Sequence, residues 1–401
     1  WLGDGLSVEW SSCLESVHRL RLPRLLRAAV SPPGHSPAGL LIGPAGLLWI
    51  KLARNKHITA PETREMYVAT EAWTAAAGDC LSYAHLFNAA ASLTGDCSTS
   101  SLDPVPDPGC PNPPHPDAFP EPGSLAIDSF GNIYVNNAGI AHTWEDSRVD
   151  IFGPTGKYIN SVAAPGALGV AVDSEGYMYT YGSVVTGPLK LVRFTPAASG
   201  YDPANEEIAY EPDATTVLTE QPGFSFRSGL AIGRNDHLFV DFRDHINEYG
   251  NAAEGNPLLD STIGAGDLHE SAWITVDRRN GDIYASDSVK AFAAATVKVF
   301  DGETAGNPLK RTISGFDANQ GLVSAAVDEA TGHVFVDDIN SDKARKRIYE
   351  FPQAAGNQTV AADSIATLEH GFNYVAFPRI AISNAPGSAN QGYLYVPIGG
   401  E

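Results

Sequence analysis

Cys80 and a set of polar residues further along the chain are the side chains whose type and spacing could support chemistry. Cys80 opens a stretch, residues 80–91, in which apolar residues recur at the spacing of one helix face. A helix dipole lowers the pKa of a cysteine at the helix N-terminus, and the resulting thiolate is a nucleophile. Cys80 is therefore the one candidate for catalysis, although the sequence as a whole predicts no catalytic residue.

The second set consists of polar residues that stand two positions beyond an aromatic residue recurring along the chain. They are Asn136, Tyr181, Asp241, Ser286 and Asp337, and Pro397 holds the sixth such position. If the recurring segments form a ring, these side chains lie at the rim of a central funnel and are its candidate ligand-binding residues. The alternative is that they hydrogen-bond to their own turns.

The elements that must position these residues come from a phrase of about twelve residues that occurs six times. Each copy is an apolar run, a polar turn and a second apolar run ending in the aromatic, which is the signal of a β-hairpin. The aromatics are Tyr134, Tyr179, Phe239, Tyr284, Phe335 and Tyr395. Periods of about 45 to 60 residues indicate radial or solenoid repetition.

A ring of blades explains the residue sizes within the phrase. The first strand carries a small residue at one position in every copy, as crowding near a propeller axis requires, and the aromatic fills the wedge where blades diverge. A third and a fourth strand follow five of the copies. The sequence therefore predicts an all-β fold, a six-bladed β-propeller of four-stranded antiparallel blades. A β-sandwich is the alternative, and six aromatics in register argue against it.

The phrase, written P-x-x-[LV]-A-[IV]-D-x-x-G-x-[IV]-Y-V, resembles the NHL repeat, and the match touches all six units from residue 123 to the C-terminus. It also resembles secreted or surface repeat proteins of actinobacteria with NHL-like blades. The resemblance implies a binding platform, although some relatives are enzymes with a metal in the central channel. RNA-binding NHL domains have a basic face, whereas this propeller is acidic.

The segment Gly78-Asp79-Cys80 resembles the nucleophile segment of transglutaminase-like proteins, in which Gly-x-Cys enters a helix. That family completes its triad with a histidine and an aspartate on the following strands. The next such residues here, His115 and Asp117, lie in a Pro-rich segment that cannot pair as a central strand. The resemblance therefore implies a transglutaminase-like remnant that lacks two catalytic parts.

Charge and composition restrict the partners. The net charge is −21; residues 1–60 hold seven Lys/Arg and three Asp/Glu, so the remainder carries −25. An acidic propeller repels phosphate backbones, so we expect no nucleic-acid partner. No apolar run is long enough for a transmembrane helix. Because no metal-ligand, phosphate-loop or nucleophile-elbow motif occurs in the chain, we predict no cofactor and no metal site.

The cysteines bear on location. All four precede the repeats, and Cys97 and Cys110 flank a short Pro/Ser-rich loop that a disulfide would close in an exported protein. Four cysteines permit three pairings, and the sequence does not choose among them. Together with the resemblance to surface proteins, this favours a secreted or cell-surface location.

Four regions are predicted along the chain. They are an N-terminal arm with possible closing strands (1–71), a helical segment (72–99), a Pro-rich linker (100–122) and the propeller (123–401). The sixth unit has only its first two strands before Glu401, which would leave an open sheet edge. We expect upstream strands at 46–52 or 64–70 to complete it; the alternative is that the chain is a fragment.

These observations favour an extracellular or cell-surface binding module whose partner is a protein, a peptide or a glycan. The alternative is a propeller hydrolase or lyase with a metal in the central channel.

Overall fold

A computed structural model gives the fold. It describes residues 40–42, 48–53, 63–70, 122–137, 147–182, 189–217, 229–288, 295–316, 323–338, 346–370 and 380–398, the first three ranges by backbone alone. Cys80 with its predicted helix, the other three cysteines and the Pro-rich linker up to residue 121 lie outside the described residues. The domain boundaries drawn from the sequence stay predictions.

The described residues are mostly β-strand. Three strands precede the repeats: β1 (Leu40–Ile42), β2 (Leu48–Ala53) and β3 (Thr63–Thr70). The repeats contain β4 (Pro122–Ile127), β5 (Ile133–Asn137), β6 (Arg148–Phe152), β7 (Tyr158–Ala163), β8 (Ala167–Val172), β9 (Met178–Gly182), β10 (Lys190–Asp202), β11 (Glu207–Val217), β12 (Leu230–Ile232), β13 (Leu238–Asp241), β14 (Ile246–Gly250), β15 (Leu258–Ile263), β16 (Ile274–Val276), β17 (Ile283–Ser288), β18 (Ala295–Phe300), β19 (Leu309–Ser314), β20 (Val323–Asp328), β21 (His333–Asp338), β22 (Lys346–Phe351), β23 (Gln358–Thr359), β24 (Ala366–His370), β25 (Ala381–Ile382) and β26 (Leu394–Ile398). One short helix, α1 (Val360–Asp363), and three 3₁₀ turns, Pro203–Asn205, Arg234–Asp236 and Ala252–Glu254, complete the described elements. No helix in this part of the chain is long and apolar enough to cross a membrane.

The strands form five antiparallel blades, each built from four repeat strands: blade 1 (β4–β7), blade 2 (β8–β11), blade 3 (β12–β15), blade 4 (β16–β19) and blade 5 (β20–β22 with β24). The short strand β23 adds to the outer edge of blade 4 in parallel. The first strands of neighbouring blades are in contact, and β25 contacts both β20 and β4. This circular order is that of a β-propeller, as predicted.

The sixth sheet departs from the predicted blade pattern. Its order is β1-β2-β3-β26-β25, so strands from both ends of the repeat region share it. Strand β3 runs parallel to β26, with Tyr67 opposite Tyr395. The count of regular four-stranded antiparallel blades is therefore five rather than six. The physical reason is that β25 and β26 are the two strands of the sixth unit among the described residues, and the N-terminal strands cover the edge of β26.

The recurring aromatics hold neighbouring blades together. Each of them is at most 5% exposed. Tyr134 of blade 1 belongs to a buried cluster with Val170 and Val172 of blade 2. Tyr284 of blade 4 likewise clusters with Val323 of blade 5. Burying an aromatic side chain contributes about 1.5–3 kcal/mol, so the repeated position stabilises each junction in the same way.

In blades 1 and 2, an aspartate at the first hairpin turn accepts hydrogen bonds from that turn and from the recurring aromatic. Asp173 accepts hydrogen bonds from the backbone N–H groups of Glu175 (3.0 Å) and Tyr177 (2.9 Å) and from the hydroxyl of Tyr179 (2.8 Å). Asp128 occupies the same position in blade 1 with equivalent donors. Burial raises the pKa of Asp173 to about 6. The aspartate thus connects the turn to the aromatic that packs on the next blade.

Ring closure generates the first prediction. Strand β3 pairs with β2 on one side and with β26 on the other. The backbone N–H of Val68 therefore faces one of these strands, and a proline at this position removes its ladder hydrogen bond. We expect Val68→Pro to lower the thermal unfolding midpoint of the whole propeller by on the order of 5 °C. Truncation to a chain starting at Ser100 should lower it further. The matched control is Val68→Thr, which keeps the N–H; an unchanged midpoint in the truncated chain would show that the N-terminal strands do not close the ring.

The buried turn aspartate generates a prediction on pH. The folded carboxyl of Asp173 binds its proton more tightly than the unfolded one, whose pKa is about 3.9. The stability contributed by this group is therefore greatest below about pH 4 and falls as the pH rises through about 6. We expect the stability of the wild type relative to Asp173→Asn to decrease over this range, by at most roughly 3 kcal/mol. Denaturant unfolding from pH 4 to 7 measures the difference.

Asp301 provides a control of opposite sign. It lies in an exposed outer turn of blade 4, where the backbone N–H of Glu303 donates to its carboxylate and lowers its pKa. Its stabilisation is present above the unfolded pKa and is lost as the pH falls. The stability of the wild type relative to Asp301→Asn should therefore increase with pH. Equal pH slopes in the wild type and Asp173→Asn would contradict the assignment to Asp173.

Candidate functional site

The five polar residues taken from the sequence as a ligand site lie at one end of the channel, where the second strand of each blade ends. They are Asn136, Tyr181, Asp241, Ser286 and Asp337, and none of their side chains is more than 4% exposed. We call this end the rim. The structure brings the five residues to the same rim, but it buries their side chains instead of exposing them to the channel.

Their contacts join neighbouring blades. The Asn136 amide of blade 1 donates a 3.0 Å hydrogen bond to the carbonyl of Ala167, the first residue of β8. The Ser271 hydroxyl, which precedes blade 4, donates a 2.7 Å hydrogen bond to Asp241 of blade 3. A buried polar group needs such a partner, because an unsatisfied one costs about 1–3 kcal/mol. These two residues therefore connect one blade to the next.

The remaining three residues are also part of the packed structure. The Tyr181 ring of blade 2 meets the ring of Phe242 of blade 3 edge to face, with centroids 6.4 Å apart. The Ser286 hydroxyl accepts a 3.1 Å hydrogen bond from the backbone N–H of Trp273 in the same blade. Asp337 is fully buried. A role in ligand binding for any of the five residues stays a prediction.

An exposed group of side chains lies at the same rim, on the turn between β13 and β14. The backbone N–H of Phe242 donates to the carbonyl of His245 (2.8 Å), which closes a tight turn. Arg243 adopts a left-handed backbone (φ 81°) that is uncommon outside glycine, and its guanidinium pairs with Glu270. The Asp244 side chain is 70% exposed. The turn is therefore rigidly built and carries charge into solvent.

The connection from β15 to β16 adds to this surface. Asp287 accepts hydrogen bonds from the backbone N–H groups of His269 (2.8 Å) and Glu270 (3.0 Å), and Lys298 pairs with it at 2.9 Å. Burial acts to raise the pKa of Asp287, but these donors outweigh it and hold the pKa below its ordinary value. The buried carboxylate thereby fixes a half-exposed imidazole, that of His269, at the surface.

We call these residues the rim patch: Arg243, Asp244 and His269, which are exposed, with His245 and Glu270, which are partly buried beside them. The His245 ring lies parallel to the Phe242 ring at a centroid distance of 5.3 Å. The patch combines a planar imidazole surface with charges of both signs. Such groups suit contact with a protein, a peptide or a glycan.

A central cavity of about 300 Å³ runs between the rim and the opposite end. The first strand of every blade and β25 line it, and each of them pairs on one side only within its sheet. Their free edges leave backbone N–H and C=O groups along the wall. Trp273 lies towards the rim, and Arg278, Glu329 and Asn384 lie at the far end, beside the first hairpin turns.

The described residues contain no cluster of three or more histidine, cysteine, aspartate or glutamate side chains that could hold a metal ion. The channel-lining carboxylates are Asp128 and Glu329, which belong to different blades. The part of the chain that the structure describes therefore offers no donor set for the channel metal of the alternative enzyme hypothesis.

Sequence reasoning did not single out the rim patch or Arg278. The sequence does contain a signal for the rim patch. The connection from β13 to β14 in unit three is short, and the two residues at the tip of its turn, Arg243 and Asp244, are both charged. For Arg278 the local sequence DRRNG holds two arginines, and only the fold shows which of them turns into the channel.

A scan against protein-family models and a search of curated proteins each found no match. Among solved structures, aldose sugar dehydrogenase from Streptomyces coelicolor, bound to PQQ, is 16% identical, with a TM-score of 0.42 over 65% of this chain and 84% of that chain. Virginiamycin B lyase from Staphylococcus aureus is 11% identical, with a TM-score of 0.44 over 90% and 92%. A protein of unknown function from Bacteroides caccae is 11% identical, with a TM-score of 0.42 over 69% and 86%. Similarity at this level carries no argument about activity.

The hydrogen bond between blades 3 and 4 generates a prediction. Ser271→Ala removes one donor from the buried Asp241 carboxylate, and we expect it to lower the free energy of unfolding by about 1–3 kcal/mol. The matched control is Ser261→Ala, which removes a half-buried hydroxyl that donates to Glu248 within blade 3, and should cost under about 1 kcal/mol. Equal losses in chemical denaturation would show that the connection between blades has no special weight.

Proposed function

We propose that this chain is an extracellular or cell-surface propeller of NHL-like type that binds a protein, a peptide or a glycan at its rim. The observation that carries the proposal is that the rim has two kinds of polar residue, one buried between blades and one exposed to solvent. Asn136 and Asp241 are buried and connect blades, whereas Arg243, Asp244 and His269 of the rim patch are exposed to solvent. The polar residues that the sequence marked at the strand ends are used in packing, and the exposed groups beside them are suited to contact with a partner.

The geometry of the rim patch supports recognition. Arg243 pairs with Glu270, and the imidazole of His269 lies 3.3 Å from the carboxylate of Asp287, so both side chains are restrained before a partner arrives. Fixed side chains lose less conformational entropy on binding. The strained backbone of Arg243 agrees with this view, because left-handed conformations outside glycine concentrate at functional sites.

The acidity of the chain favours a partner other than nucleic acid. A net charge of −21 repels phosphate backbones at physiological salt. The competing hypothesis, a hydrolase or lyase with a metal in the channel, requires a donor set that the described residues do not contain. We keep it as the outcome that a metal analysis would favour.

The experiment has two arms. Elemental analysis of the purified chain, after equilibration with divalent metals and dialysis, should find no stoichiometric ion. Screening against glycan and peptide arrays identifies a partner, whose affinity is then measured for rim and control variants. We expect Asp244→Lys, which reverses an exposed charge in the rim patch, to change the affinity at least about tenfold.

The matched control is Glu175→Lys, which reverses an exposed charge on the first hairpin turn of blade 2, at the far end of the ring. This variant should bind like the wild type. A stoichiometric metal ion with turnover of a bound ligand would replace the proposal by the enzyme hypothesis. An affinity that changes only in Glu175→Lys would move the site to the other face.

A further inference from the structure

Arg278 occupies an unusual position at the far end of the channel. It follows β16 in blade 4, and its guanidinium extends to the backbone carbonyls of Val172 in blade 2 (3.4 Å) and Ile232 in blade 3 (3.5 Å). Both carbonyls belong to first strands that line the channel. One side chain thus spans parts of three blades and borders the cavity.

The guanidinium of Arg278 has no carboxylate within ion-pairing distance among the described residues. Glu329, the nearest acidic neighbour in the cavity wall, accepts a 3.1 Å hydrogen bond from the backbone N–H of Arg278 and not from its side chain. Asp128 is engaged by the turn of its own blade. Burial raises the pKa of Glu329, and the nearby positive charge of Arg278 acts in the opposite direction.

The charge of the half-buried Arg278 guanidinium is only partly compensated when no carboxylate contacts it, because a charge removed from water needs hydrogen-bonded or ion-paired partners. Arginine has five N–H donors, and two contacts of 3.4–3.5 Å at the limit of hydrogen bonding use few of them. The chain does not lack acidic partners, since its net charge is −21. The adjacent Arg279 pairs with Asp277 at 2.7 Å on the same turn. Arg278 therefore differs from Arg279, because its guanidinium contacts backbone carbonyls and not a carboxylate.

The cavity next to Arg278 suits a small molecule. Its volume of about 300 Å³ is at the lower end of the range for small-molecule pockets. Its wall combines the free edges of the first strands with small side chains, including Ala126, Ala231 and Ala381. Such a wall accommodates a compact body of mixed polarity and leaves one strong recognition group at the end.

We propose that the central channel binds a small carboxylate-bearing molecule whose carboxylate is held by the guanidinium of Arg278. The planar fork of an arginine matches a carboxylate with two parallel hydrogen bonds. The body of the ligand lies along the alanine-lined wall towards the rim. This site is at the opposite end of the channel from the rim patch and does not depend on the function proposed there.

The test uses matched probes that differ only in charge. Isothermal titration calorimetry compares butyrate with butyramide and benzoate with benzamide, and inorganic phosphate serves as a third kind of probe. We expect at least one carboxylate to bind about tenfold or more tightly than its amide, because a charge-assisted bidentate pair is worth at least that factor. Arg278→Gln should abolish this preference.

The control variant is Arg279→Gln, which removes a neighbouring arginine of the same turn that is exposed to solvent; it should keep the preference. Arg278→Lys, which keeps the charge without the fork, should show a reduced preference and serves if Arg278→Gln does not fold, as judged by circular dichroism. The proposal is overturned if neither carboxylate exceeds its amide, if the preference survives in Arg278→Gln, or if phosphate binds more tightly than both carboxylates.

Discussion

The burial of one aromatic residue of each repeat against the following unit is the interaction on which the rest of this structure depends. Tyr134, for example, packs with Val170 and Val172 of the next blade. A sheet that receives an aromatic on one face and contributes one at the other cannot be stable alone, since half of its apolar surface would face water. The blades must therefore form a ring in which every junction is filled.

Ring formation explains the role of the strands outside the repeats. Among the described residues the sixth unit contributes β25 and β26, and without a further strand the edge of β26 would be open to other chains. Strand β3 covers that edge in parallel orientation. The other end of the unit is joined to blade 1, where the Asn390 amide donates a 2.7 Å hydrogen bond to the carbonyl of Gly131. Closure thus combines main-chain pairing on one side with a buried side-chain contact on the other.

The same constraint divides the polar residues into two groups. A side chain at a junction between blades is removed from water and meets its partner there, as the amide N–H of Asn136 and the carboxylate of Asp241 do. A side chain on a turn that projects from the ring keeps its contact with water, as Asp244 does. Function is therefore expected on the projecting turns and at the channel ends, where a polar group is not already used to hold the ring together.

The two ends of the channel differ in chemistry. At the rim, charged residues are paired with one another, which fits contact with a large partner over a broad surface. At the opposite end, the side-chain hydrogen bonds that Arg278 makes among the described residues go to backbone carbonyls, beside a cavity of about 300 Å³. This arrangement fits recognition of one small anionic group. A propeller can hold both kinds of site because they lie at opposite ends of its central axis.

The sequence by itself determined the hairpin phrase, the order of strands within blades 1 to 5 and the all-β class. Those features depend on short apolar and polar segments that alternate along the chain and on aromatics such as Tyr284 that recur in register. They can therefore be predicted from neighbouring residues alone. The sequence also marked 46–52 and 64–70 as strands, while Cys80 is known from sequence reasoning alone.

Only the tertiary structure decided how distant segments meet. Strand alternation does not specify that β3 joins β26 in parallel, or that β23 adds to the edge of blade 4. It likewise does not distinguish a buried Asp241 from a solvent-exposed one, because the partner, Ser271, comes from the next blade. Arg278 and Arg279 are neighbours of the same residue type, and the fold turns one into the channel and leaves the other paired at the surface. The physical reason is common to these cases: burial and pairing depend on which segments the closed ring brings together, and that is a property of the whole chain.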